Sequence, residues 1–191
     1  MFRTLALALS LSVGAASAQE SDPSWSVVIH GGAGVIERGD MDAATEAAYR
    51  AALNDAAVAA GDILQDGGSA LDAVETVIRV MEDDPKFNAG RGAVFTSEGR
   101  NELDASIMRA SDRQAGAVSS VTTVRHPISL ARAVMEESPH VMLSGAGAEN
   151  FAAEQALEQV DNVYFFTERR WASMVRSEEH TSELQSHAPI S

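Results

Sequence analysis

The sequence contains no cysteine among its 191 residues. Disulfide bonds, thiolate nucleophiles and thiolate-bound metals are therefore excluded together, because each of them needs a cysteine side chain. If the chain belongs to an enzyme that forms a covalent intermediate, the nucleophile must be a hydroxyl, an amine or a carboxylate.

Positive charge is also scarce in this chain. Lysine and arginine number 14 against 28 aspartates and glutamates, so the formal net charge is −14. A nucleic acid or an anionic membrane surface would be repelled at long range by this charge. We therefore expect no nucleic-acid partner and no membrane partner.

The N-terminus lacks an apolar run long enough to span a membrane. The run Leu5–Leu11 is far shorter than the roughly 20 residues that a spanning helix needs. Arg3 precedes this run and Ala16-Ser17-Ala18 follows it, which is the three-part pattern of a secretory signal peptide. The sequence thus predicts a signal peptide over residues 1–18 and a periplasmic or secreted mature protein.

The usual motifs of serine, zinc and nucleotide sites are missing as well. The sequence has no G-x-S-x-G and no S-x-x-K motif, and its histidines show no zinc-ligand spacing. HGGAG at 30–34 lacks the lysine of a P-loop, and GAGAEN at 145–150 has Asn150 where a dinucleotide fingerprint requires glycine or alanine. Each glycine-rich segment, taken alone, is more typical of a turn.

The apolar pattern that remains predicts one α+β domain over residues 19–176. Trp25–His30 is predicted to be a buried strand, and Ala115–Val124 a strand covered on both faces, because its alternate positions are all small or apolar. The other expected elements are a helix from Asp40 to about Leu64 with Asp40 or Asp42 as its cap, a helix over residues 69–84, β-like stretches at 93–95 and 102–108, a helix from Pro127 to residue 137 or 138, a strand at 140–143, a helix from 145 to about 159 and a short apolar run at 163–166.

The helix over residues 69–84 carries two features of its own. Ser69 and Asp72 have the spacing of a capping box at its start. Its buried stripe is expected to consist of Leu71, Val74, Ile78 and Met81.

Three acidic residues, Glu82, Asp83 and Asp84, end this helix, where the helix dipole already places partial negative charge. A sodium, calcium or magnesium ion bound by oxygen atoms would relieve the repulsion. Alternatively, the acidic end is solvated, with Lys86 and Arg91 as its counter-charges. The residues alone leave both interpretations open.

Six segments of the chain, in this order and at this spacing, resemble the plant-type asparaginase/isoaspartyl peptidase family. They are HGGAG at 30–34, GGSALDAVE at 67–75, MEDDPKFNAGRGAVFT at 81–96, ELDASIM at 102–108, AGAV at 115–118 and SPHVMLSGAGAENFA at 138–152.

The resemblance implies a four-layer αββα N-terminal-nucleophile hydrolase fold, of which this chain would be the incomplete first-subunit part. Family members cut themselves at a Gly-Thr bond, and the freed threonine attacks isoaspartyl dipeptides or L-asparagine with its own amine as base. The implied partner is a second subunit from the same precursor, and the implied assembly is a dimer of two-chain units.

The resemblance also implies site residues. No catalytic residue falls in this chain, so the chain alone is expected to be inactive. The His30-Gly31-Gly32 turn would support self-cleavage, and Asn88 would lie close to the nucleophile. A sodium ion, with no organic cofactor, would be bound by the main-chain carbonyls of Met81, Glu82, Asp84, Phe87, Ala89 and Arg91.

Residues 177–191, SEEHTSELQSHAPIS, depart from the family pattern and lack core periodicity. We interpret them as a non-native tail, resembling translated sequencing-adapter sequence, with a natural disordered tail as the alternative. The alternative function for the whole chain is an exported, non-catalytic domain that binds a small ligand or a cation.

Overall fold

The computed structural model of the protein describes residues 24–32 and 41–186. The predicted signal peptide and the end of the HGGAG segment lie outside these residues. In chain order the elements are α1 (Ala43–Gln65), α2 (Ala70–Asp83), β1 (Leu103–Arg109), β2 (Gln114–Val121), α3 (Pro127–Glu137), β3 (Met142–Ser144), α4 (Gly145–Glu154), a 3₁₀ helix (Asn162–Phe165) and α5 (Glu168–Ser186).

Local hydrogen bonds begin α1 and α2 where the sequence predicts. Asp42 Oδ1 accepts a hydrogen bond from the backbone nitrogen of Thr45 at 2.6 Å. Ser69 Oγ accepts from the nitrogen of Asp72 at 3.1 Å, and the nitrogen of Ser69 donates to Asp72 Oδ2 at 3.2 Å. The predicted capping box is therefore confirmed.

The strands form a small mixed sheet in the order β1-β2-β3, with β1 and β2 antiparallel and β2 and β3 parallel. The register shifts between Leu103 and Ala105, and Ser120 on β2 adopts a φ of 52°. The nitrogen of Ser120 donates to Asp104 Oδ1 at 2.9 Å, so this bulge keeps its backbone donor satisfied. The mixture of helices and a small sheet agrees with the predicted α+β class.

Two apolar clusters hold these elements together. In the larger, α3 packs against β1 and β2, with Leu130 and Phe165 fully buried. In the smaller, α1 packs against α2 through Ala56 and Ala60, and Phe87 closes one end. Alanine at the contact lets the two helices approach closely.

The second face of the sheet carries little cover among the described residues. β2 is buried at Gly116 and Val118 but only half-buried at Ala115 and Ala117. Met108 on β1 is 61% exposed. The prediction that β2 is covered on both sides is therefore wrong for the part of the chain that is described.

The predicted strand at Trp25–His30 is also wrong. These residues join no strand, and Val28 is 95% exposed. An apolar run becomes a strand only where another strand offers it hydrogen bonds, and the described residues offer none. The segment instead borders a cavity of about 350 Å³ beside α1 and α2. Val74, predicted to be buried, lines this cavity and is 48% exposed.

Smaller differences concern element ends. α4 stops at Glu154 rather than near residue 159, because Ala156 turns left-handed with φ of 54° and Leu157 donates back to the carbonyl of Ala152 at 3.0 Å. The β-like stretch at 93–95 makes a single bridge, Phe95 to Asn101. Among the described residues, no helix combines the length and the apolar character that crossing a membrane requires.

Candidate functional site

The three acidic residues that end α2 have three different environments. Glu82 is 2% exposed, and its Oε1 accepts a hydrogen bond from the backbone nitrogen of Ile128 at 3.0 Å. Its Oε2 has no hydrogen-bond partner among the described residues. Burial raises the pKa of Glu82 to about 8, with the neighbouring charge of Asp83 adding to the effect. Glu82 is thus largely protonated at neutral pH and joins α2 to the start of α3.

The carboxyl of Asp83 is surrounded by hydrogen-bonding side chains and remains charged. Its Oδ1 accepts from Tyr164 Oη at 2.8 Å and from Arg125 Nε at 3.2 Å, and His126 Nε2 lies 3.1 Å from its Oδ2. Partial burial disfavours the charge, but these hydrogen bonds outweigh it, and the pKa of Asp83 is lowered. The side chains of Arg125 and Tyr164 are site neighbours that no sequence motif indicates.

Asp84 forms a local ion pair, which is the counter-charge arrangement that the sequence leaves open. Its Oδ2 lies 2.9 Å from Lys86 Nζ, and its Oδ1 accepts from the nitrogen of Lys86 at 2.9 Å. Arg91, the other expected counter-charge, instead lies over the ring of Tyr164, 5.4 Å from the ring centroid. In the described part of the chain, no group of three acidic or histidine side chains could hold a metal ion.

The loop that follows is tightly wound around two glycines. Gly90 and Gly92 have φ of 48° and 123°. A Cβ on Gly92 would lie 2.5 Å from the carbonyl oxygen of Phe87 and 2.6 Å from that of Pro85, and a Cβ on Gly90 would collide with the carbonyl of Glu82. Carbonyl oxygens therefore crowd the space that only glycine leaves open. Two of these carbonyls, those of Glu82 and Phe87, belong to the predicted sodium ligands.

Several of the predicted sodium ligands also accept hydrogen bonds within the loop. The carbonyl of Glu82 accepts from the nitrogen of Arg91 at 2.7 Å, and the carbonyl of Asp84 accepts from the nitrogen of Phe87 at 3.1 Å. Because a carbonyl oxygen has two lone pairs, these bonds leave one acceptor direction for an ion. The side chain of Phe87 is 3% exposed and anchors the loop in the α1–α2 core.

The structure brings two of the predicted segments together. A Cβ on Gly31 would lie 3.4 Å from Leu53 on α1 and 3.8 Å from the ring of Phe87, so the 30–32 turn adjoins the 85–92 loop. The nitrogen of Gly32 donates to His30 Nδ1 at 3.2 Å. The turn is exposed to solvent.

Asn88 lies at the exposed edge of this loop. Its Oδ1 accepts a hydrogen bond from the nitrogen of Val94 at 3.0 Å, which ties it to the chain beyond the loop. The amide nitrogen of Asn88 is the part of the side chain available to a further partner.

Two arginines that sequence reasoning missed reach this loop from the start of α5. Arg169 Nη2 donates to the carbonyl of Pro85 at 2.9 Å, and Arg170 Nε donates to the carbonyl of Gly92 at 2.6 Å. The sequence carries no signal for these contacts, because about 80 residues separate each arginine from its acceptor.

A profile of the family described as asparaginase matches residues 23–190, most of the chain. The chain belongs to this asparaginase family. The resemblance that the six segments indicate is thereby confirmed.

The relatives of this asparaginase-family chain all carry isoaspartyl peptidase in their names. It is 42% identical to a putative isoaspartyl peptidase/L-asparaginase of Dictyostelium discoideum over 84% of the chain and 46% of that protein. It is 45% identical to the isoaspartyl peptidase of Salmonella typhimurium over 78% of the chain and 48% of that protein. For the human isoaspartyl peptidase/L-asparaginase the identity is 43%, over 83% of the chain and 50% of that protein. The chain thus spans about half the length of the curated relatives it matches.

Proposed function

We propose that the chain supplies the N-terminal half of a hydrolase that acts on isoaspartyl dipeptides and L-asparagine. The observation that carries this proposal is the 42–45% identity to proteins with those names over about half of their length. The threonine nucleophile, freed by cleavage of a precursor, would lie in a second segment. The described half is then a scaffold, which accords with the absence of catalytic motifs in its sequence.

In this proposal the complete protein has the four-layer αββα fold. The exposed side of the sheet, marked by Met108 and Met142, would face a second sheet from the other segment. Strands of the other segment would also supply the hydrogen-bonding neighbours that Trp25–His30 lacks among the described residues. Dimers of the two-chain unit remain part of the proposal.

The 30–32 turn and Asn88 would border the nucleophile. Support comes from their adjacency through Phe87 and from the amide nitrogen of Asn88, which has no hydrogen-bond partner among the described residues and is a suitable donor for a hydroxyl or a carbonyl oxygen. The amide of Asn88 does not ionise, so Asn88 would orient groups rather than transfer protons.

The loop would hold one sodium ion on main-chain carbonyls, and its role would be structural. The crowding of carbonyl oxygens around Gly90 and Gly92 supports this assignment. The ligands proposed are the carbonyls of Met81, Glu82, Asp84, Phe87, Ala89 and Arg91. If the ion binds the folded state, the melting temperature in sodium chloride exceeds that in choline chloride at equal ionic strength. Equal melting temperatures would contradict it.

The proposed activity is tested by expressing residues 1–176 fused in frame to the second half that the natural gene is proposed to encode. We expect spontaneous cleavage into two chains, a threonine at the new N-terminus by mass spectrometry, and ammonia release from L-asparagine. The 191-residue chain alone, as the matched control, releases none. An extended protein that stays intact and inactive, or an active 191-residue chain, would overturn the proposal.

Export is proposed on the signal-peptide pattern of residues 1–18. In a Gram-negative host, we expect periplasmic protein whose N-terminus is Gln19. Cytoplasmic protein that retains Met1 or Phe2 at its N-terminus would contradict this.

A further inference from the structure

The first turn of α5 holds both ends of the 85–92 loop. Arg169 Nη2 donates to the carbonyls of Pro85 at 2.9 Å and Lys86 at 3.3 Å, where the loop begins. Arg170 Nε donates to the carbonyl of Gly92 at 2.6 Å, where the loop ends. Two adjacent side chains therefore bracket the segment that contains Asn88.

A tyrosine on α1 completes the same junction. Tyr49 Oη donates to the carbonyl of Lys86 at 3.1 Å and accepts from Arg169 Nη1 at 3.3 Å. Its ring meets the ring of Phe87 edge to face, with centroids 6.3 Å apart. The loop is thus fixed to α1 by Phe87 and Tyr49, and to α5 by the arginines.

The two guanidinium groups are held by neutral acceptors. Their described partners are carbonyl and phenol oxygens rather than carboxylates. Burial, with the neighbouring charge of Arg169, lowers the pKa of Arg170. Placing two cations side by side is unfavourable unless the carbonyl dipoles of the loop offset their repulsion. The conformation of the loop and the position of the first turn of α5 therefore depend on each other.

We propose that Arg169 and Arg170 are positioning residues that hold the 85–92 loop, and with it Asn88, in its bracketed conformation. The contacts of Arg169 and Arg170 with the loop do not depend on the proposed function. Only the role of Asn88 beside the nucleophile rests on that function. When α5 detaches, the loop opens, although the sheet and α3 stay folded.

Hydrogen exchange of the full chain, followed by mass spectrometry, tests this proposal. In the double variant R169A/R170A, loop amides of residues 85–92 should exchange about tenfold faster or more, while β2 amides are unchanged. R176A removes an exposed charge from the same helix and is the matched control, with no change expected in the loop. Trypsin should cut the double variant faster after Lys86 and Arg91.

Lysine variants separate positioning from general destabilisation. A lysine reaches a carbonyl with one ammonium group, so R169K and R170K should show loop exchange between wild type and the alanine variants. If the double alanine variant unfolds, shown by faster β2 exchange, the single lysine variants decide the question. Loop exchange equal to wild type in the folded double variant, or an equal increase in R176A, would overturn the proposal. Precursor cleavage is not measured, so this outcome is separate from that of the proposed function.

Discussion

Gly116 on β2 lies directly against the backbone of Ala131 on α3. A Cβ on Gly116 would collide with the carbonyl oxygen of Ala131 and would lie 2.6 Å from the nitrogen of Met135. Strand and helix therefore touch main chain to main chain, at the centre of the larger apolar cluster. No side chain, however small, fits between them without moving α3.

The first prediction concerns this contact. Gly116→Ala should lower the free energy of unfolding by about 1–3 kcal/mol or more, because the core cannot make room without displacing backbone. Urea unfolding followed by circular dichroism measures the change. Gly147→Ala, on α4 where a Cβ meets nothing within 4 Å, should be neutral or stabilising. Equal effects of the two substitutions would refute the contact.

The second prediction concerns the glycine that closes the 85–92 loop. Gly92→Ala should destabilise the protein by about 1–3 kcal/mol, because its φ of 123° is unfavourable for alanine and its Cβ would meet two carbonyls. Gly67→Ala also has positive φ, 83°, but has open space around the new carbon. The difference in melting temperature between the two variants measures the cost of the contacts between the new Cβ and the carbonyls. Equal melting temperatures would mean that these carbonyls do not lie close to Gly92.

The third prediction concerns a buried amide that sets the course of the chain after the loop. Asn101 is 1% exposed, and its Nδ2 donates to the carbonyls of Ala93 at 3.0 Å and Val94 at 3.1 Å. Asn101→Ala should cost about 1–3 kcal/mol, because it leaves the buried carbonyl of Ala93 without this donor. Asn54→Ala, on the exposed side of α1, should have little effect. Comparable losses for both variants in urea unfolding would argue against the buried amide.

The fourth prediction is a pH dependence that arises at Glu149 on α4. Its Oε1 accepts from the nitrogen of Thr122 at 2.6 Å and from the nitrogen of Thr123 at 2.9 Å. Partial burial opposes the charge, but these hydrogen bonds outweigh it, and the pKa of Glu149 falls below its usual value of 4.5. The folded state therefore binds this proton less readily than the unfolded state.

The direction of this pH dependence follows from the weaker proton binding of Glu149 in the folded state. The contribution of Glu149 to stability is fully present above pH 4.5 and is lost as the pH falls through the lowered folded-state pKa. Urea unfolding between pH 3 and pH 7 gives the free energy of unfolding at each pH. Its slope against pH should be smaller for Glu149→Gln than for wild type, because at most about one proton less is taken up on unfolding. Glu154→Gln on the same helix is the control. An unchanged slope in Glu149→Gln would show that the contact is weak.

Helix starts were the most predictable part of the fold. Asp42, Ser69 and Asp72 cap α1 and α2 as the sequence indicates, and Pro127 begins α3. These features depend on hydrogen bonds and steric limits within three or four residues, so they are visible in the local pattern. The left-handed end of α4 at Ala156 carries no glycine to mark it, and its length was overestimated for that reason.

The candidate site was predictable only as a segment. Family resemblance indicates the 81–91 loop and Asn88, and the structure places the 30–32 turn beside them through Phe87. Arg169 and Arg170 could not be found, because a basic pair at a helix start does not reveal which distant carbonyls it will meet. Trp25–His30 was misjudged because burial of an apolar strand depends on neighbours that the described chain does not provide.

Glu82, Asp83 and Asp84 show how far the sequence alone predicts the candidate site. Residue order and backbone sterics are enough to place three acidic residues at a helix end before Pro85. Packing of the folded chain is what buries Glu82 against α3, brings Asp83 to Tyr164 and pairs Asp84 with Lys86. The charge state of a carboxyl depends on its solvation and its neighbours, and segments distant in the chain supply both.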